Sequence, residues 1–69
     1  MNEIIFLVEE ALEGGYTAKA LDYSILTEAD SESELKANIK DAVLCHFEPD
    51  EMPKLIHLHY VKDEIFAFA

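Results

Sequence analysis

One cysteine, Cys45, stands among 69 residues, so no internal disulfide can form. It and the three histidines do not fall at zinc-finger spacing. Glycine is nearly absent: the two that occur, Gly14 and Gly15, are adjacent and mark a single tight turn. Positive charge is scarce as well. Five bases face fifteen acids, a formal net charge of −10. Such a chain repels phosphate, which excludes direct nucleic-acid binding and suits a basic partner. The longest apolar run of the N-terminal part, Ile4-Ile5-Phe6-Leu7-Val8, is too short and too acidic in its flank for a secretory leader or a membrane span. A lone thiol without a membrane segment fits the cytoplasm. No cofactor is expected.

Residues 1–69 are read as one domain. A chain this short buries only about 60% of the surface it exposes when unfolded. Small domains therefore add a disulfide, a metal or a partner subunit. With the first two unsupported, a homodimer or higher oligomer is the expected solution.

What is present begins with one helix. Asp30-Ser31-Glu32-Ser33-Glu34 reads as a helix start, with Ser31 as N-cap and Glu34 three residues on, a capping box. Glu32 and Glu34 place negative charge at the positive end of the helix dipole. Leu35, Ile39, Ala42, Val43 and His46 then recur at helical spacing, which predicts a helix over Ser31 to Phe47 with one apolar stripe. Pro49 and Pro53 put a loop after it.

The rest is strand-like. Residues 3 to 11 are apolar on both alternating faces, as in a central strand. Gly14-Gly15 turns the chain into a return strand, Tyr16 to Leu21, and Ile25 to Ala29 is a third. Leu55 to Val61 is a fourth, and a turn at Lys62-Asp63 leaves room for an optional fifth, Glu64 to Phe68. The fold class is thus α+β, β-β-β-α-β(β): an antiparallel meander with one helix packed on the sheet. One helix covers one sheet face. The second face, also apolar, calls for cover from another copy or a different protein.

Candidate chemistry is sparse. His57 and His59 share one strand face and could give two metal ligands, but a third and fourth are not at hand; no metal site is assigned. His46, on the helix stripe, is expected to be a partly buried structural residue. Cys45 sits at the helix C-terminus, where the dipole opposes thiolate formation. No catalytic residue is assigned and no enzymatic activity is expected. Glu9, Glu10 and Glu13, with Glu32 in the first helical turn, are the densest acidic clusters beside apolar strands. They are the candidate partner-binding residues.

Gly14-Gly15-Tyr16-Thr17-Ala18 resembles the G-G-Y-x-A hairpin of the HicB-like antitoxins. Leu26-Thr27-Glu28-Ala29-Asp30-Ser31, followed by Ser33-Glu34-Leu35, Asn38-Ile39 and Ala42-Val43, resembles their strand-to-helix signature. The likeness covers roughly residues 3 to 47. It implies a partial ribonuclease-H-like sheet without nuclease chemistry, and an interaction protein that neutralises a small basic RNA-cleaving toxin of the HicA type. In two places the sequence departs from the family. Leu21-Asp22-Tyr23-Ser24 replaces the usual P-x-L-P-G segment. With its last strand placed at the end of the sequence, the chain is also expected to lack the DNA-binding module of many members, so autoregulation is not carried over. The alternative reading is an orphan accessory protein that binds a small molecule or an enzyme complex.

Overall fold

The computed structural model describes residues 2–68. It contains β1 (Glu3–Glu10), β2 (Tyr16–Ala20), β3 (Leu26–Ala29), the helix α1 (Glu32–His46), a 3-10 turn (Pro49–Glu51) and β4 (Leu55–Val61). The sheet order is β3-β2-β1-β4. The first three strands form the expected antiparallel meander, with Val8 opposite Ala18 and Ala18 opposite Thr27. β4 lies on the far side of β1 and runs parallel to it, which makes the sheet mixed. Parallel neighbours need a long crossover, and α1 with the following loop supplies it. The backbone N–H groups of Lys54 and Leu55 both donate to the Asn2 carbonyl (3.1 and 2.9 Å), fixing where this pairing starts.

The helix begins as its sequence requires. Ser31 is extended, and its hydroxyl accepts from the Glu34 N–H at 3.2 Å. Among the described residues the Ser31 N–H does not donate to the Glu34 carboxylate, so half of the expected capping box is made. Phe47 ends the helix, its N–H donating to the Val43 carbonyl at 3.2 Å. Leu35, Ile39 and Val43 are buried on one face. They meet Ile4, Phe6 and Val8 of β1, Ala18 and Ala20 of β2, and Ile25 just before β3. Ala18 and Ala20 are small and fully covered, which lets α1 lie close over β2 and β3. Among the described residues no polar side chain is buried.

Two expectations are corrected. Residues 62–68 form no fifth strand. The sheet ends beside them: Val61 already pairs with Glu9 near the end of β1, after which β1 turns away into its hairpin and offers no further partner. His46 is exposed rather than partly buried. The last turn of α1 reaches past the core, and His46 meets the rings of Tyr23 (5.7 Å) and Phe47 (4.9 Å) edge-on.

Candidate functional site

The register defines two unlike sheet faces. Ile4, Phe6 and Val8 point toward α1. Glu3, Ile5, Leu7 and Glu9 point the other way, where among the described residues no helix packs over them. Cross-strand neighbours extend this open face in rows. Leu26, Lys19, Leu7 and His59 form one, and Glu28, Thr17, Glu9 and Val61 the next. Ile5 lies opposite His57, and Glu3 opposite Leu55. Leu26 is 73% exposed and Leu55 62%. Ile5 and Leu7 are only half-buried. Ile5 and Leu7 lie at the middle of this face with Lys19, His57 and His59 beside them, and Glu3, Glu9 and Glu28 stand toward its ends.

His57 and His59 do share this face, as their alternation requires. His57 Nδ1 lies 3.4 Å from Glu3 Oε2, with both side chains about half exposed. Among the described residues no set of three or more histidine, cysteine or acidic side chains is gathered as for a metal. Cys45 is exposed near the end of α1.

The four acids singled out from the sequence are divided. Glu10 and Glu32 converge on Tyr16, on the helix side. The Tyr16 hydroxyl donates to Glu32 Oε1 over 3.5 Å. Loss of hydration raises the Tyr16 pKa above its ordinary value, and the charges of Glu10 and Glu32, the bond to Glu32 and the nearby Tyr60 add to it. Glu9 projects from the opposite face, and Glu13 lies exposed in the hairpin turn. Both ends of this acidic edge therefore bound the sheet, but on different sides.

Next to Tyr16, the hairpin and the β3-to-α1 corner form an open cleft of about 400 Å3 lined by Gly15, Tyr16, Glu28, Asp30 and Glu34, among others. Its neighbours are the residues that carry the HicB-like resemblance, and each has a structural task. Gly14 and Gly15 have φ of +98° and +89°, a region that favours glycine. Tyr16 pairs with Ala29. The Asn38 side-chain amide donates to the Glu28 carbonyl at 3.0 Å, tying α1 to the strand before it.

A second apolar strip escaped the sequence reading. β4 lies at the margin of α1, so of the residues facing the helix side Leu58 is only partly buried against the core while Ile56 and Tyr60 are exposed. Between α1 and β4 runs a groove of about 210 Å3 lined by Lys36, Ile39, Lys40, Ile56 and Leu58. Only the order of strands in the sheet, which periodicity does not encode, could have revealed it.

Among known proteins, a UPF0150 protein of Archaeoglobus fulgidus is 62% identical over 55 residues, which span 80% of this chain and 82% of that protein. A UPF0150 protein of Thermotoga maritima is 46% identical over 66 residues, spanning 96% of this chain and 93% of the other. No protein-family model matches the chain. No solved structure matches it.

Proposed function

The chain belongs to the UPF0150 family, and from that premise we propose that it is a non-catalytic, self-associating interaction protein of the HicB-like kind, whose partner is a small basic RNA-cleaving toxin. The observation that carries this reading is the open sheet face. It sets Ile5 and Leu7 at its middle and Leu26, Leu55 and Val61 toward its margins, beside Glu3, Glu9 and Glu28, on a chain of net charge −10. The mechanism is steric and electrostatic. Opposite potentials speed the encounter and select the partner, and apolar contact then holds it over its own RNA-binding surface. Glu9, Glu10 and Glu13 steer the approach from the hairpin end, with Glu32 on the helix side.

Co-expression with a toxin-like gene adjacent in the native genome tests this. Relief of growth arrest is expected. Association of the two purified proteins should slow with added salt, because exposed charges are screened over about 8 Å at physiological ionic strength. The triple variant Glu9→Lys, Glu10→Lys, Glu13→Lys should associate more slowly while remaining folded. Arrest that this chain does not relieve removes the antitoxin reading.

A further inference from the structure

Residues 62–68 leave the end of β4 as an extended arm, and Ile65, Phe66 and Phe68 on it are 78%, 81% and 103% exposed. The molecule measures 55 × 19 × 17 Å. An eight-residue strand such as β1 spans only about 27 Å, and seven extended residues add about 23 Å. The long dimension is thus the sheet plus a projecting arm. The arm is acidic and then apolar: Asp63-Glu64-Ile65-Phe66-Ala67-Phe68.

The groove between α1 and β4 has the complementary character. Ile39, Ile56 and Leu58 form its floor, and Lys36 and Lys40, two of only five bases in the chain, stand on one wall. Among the described residues neither lysine is in an ion pair. β4 also presents an unpaired edge beside the groove. Extended chain added to that edge sets alternate residues on one face. Glu64, Phe66 and Phe68 share such a face. The arm follows directly on Val61, whereas the groove residues Ile56 and Leu58 lie back along the same strand, so reaching the groove of its own chain would require a reversal that the extended arm does not make.

We infer that the arm of one chain adds to the β4 edge of a second copy, seating Phe66 and Phe68 in the α1–β4 groove and Glu64 against Lys36 and Lys40. A two-fold axis makes the exchange reciprocal and closed. This deepens the self-association stated above and leaves the open sheet face to the heterologous partner.

The test mixes equal amounts of 14N- and 15N-labelled full-length protein, joins contacting lysines and carboxylates with a zero-length carbodiimide, and reads the linked peptides by mass spectrometry. Light scattering gives the mass in parallel. A species of twice the monomer mass is expected, with mixed-isotope links from Lys36 or Lys40 to Glu64. Phe66→Asp with Phe68→Asp, at positions already exposed, should weaken dimerisation at least 100-fold and leave the circular dichroism spectrum unchanged. Lys36→Glu with Lys40→Glu should weaken it, and adding Glu64→Lys should restore it. Links confined to single-isotope pairs, or a monomer at micromolar concentration, overturn the exchange. A dimer without the lysine–Glu64 link also overturns it, while leaving self-association and the partner reading standing.

Discussion

At the scale of single residues, the hairpin glycines and Tyr16 make the sharpest statements. A Cβ at position 15 would lie 3.4 Å from the Ala29 carbonyl oxygen, an ordinary contact, so the obstacle to a side chain there is the backbone angle alone. Gly15→Ala should destabilise the chain by about 1–2 kcal/mol in urea denaturation, the strain of holding an L-residue at positive φ. Tyr16 gives a pH signature. Reduced hydration and the acids around it favour the neutral phenol in the folded chain. Its folded pKa therefore lies above its unfolded one. Stability is unaffected below the ordinary tyrosine range near pH 10 and falls as pH rises from there through the folded pKa. Alkaline titration at 295 nm should show a late-ionising phase that Tyr16→Phe removes.

At the scale of elements, α1 combines a cap and a buried stripe of very different weight. Ser31→Ala removes one hydrogen bond at an exposed helix end and should destabilise by about 1 kcal/mol. Leu35→Ala or Ile39→Ala empties a fully covered site and should destabilise by about 2–5 kcal/mol. Urea denaturation of the three variants checks the order; a cap variant more damaging than either core variant would contradict the packing described. β4 shows the opposite balance. It is held by backbone pairing along β1, and six of its seven side chains are exposed. A strand so placed is an edge with apolar residues on both faces, which suits association on each of them.

At the scale of the whole molecule, the helix divides the sheet into a covered half and two uncovered apolar surfaces. Leu55 and Val61 lie on the open face at the β4 margin, outside the core. Leu55→Lys with Val61→Lys should leave the unfolding free energy within about 0.5 kcal/mol per substitution, as for surface changes generally. The same pair should abolish capture of the partner protein. Parallel measurement of denaturation and pull-down separates the two effects, and retained capture would move the docking surface off this face.

Local physics was enough for much of this protein. Ser31, Glu34 and the Leu35-Ile39-Val43 spacing specify a helix and its buried face because capping and amphipathicity act within a few residues. Gly14-Gly15 specifies the hairpin because only glycine enters that backbone region freely, and alternation puts His57 and His59 on one side of their strand. What depends on distant neighbours was decided by the tertiary structure. The place of β4 beside β1, parallel to it and out from under α1, follows from the crossover path and the Asn2 carbonyl that anchors its start. Alternation along β1 already splits Glu9 from Glu10, whereas the placement of β4 opens the groove beside Ile56 and Leu58. That placement also denies Glu64 to Phe68 a strand to pair with. Their apolar and aromatic residues satisfy the local requirement for a strand, but a strand exists only where the sheet has an edge within reach.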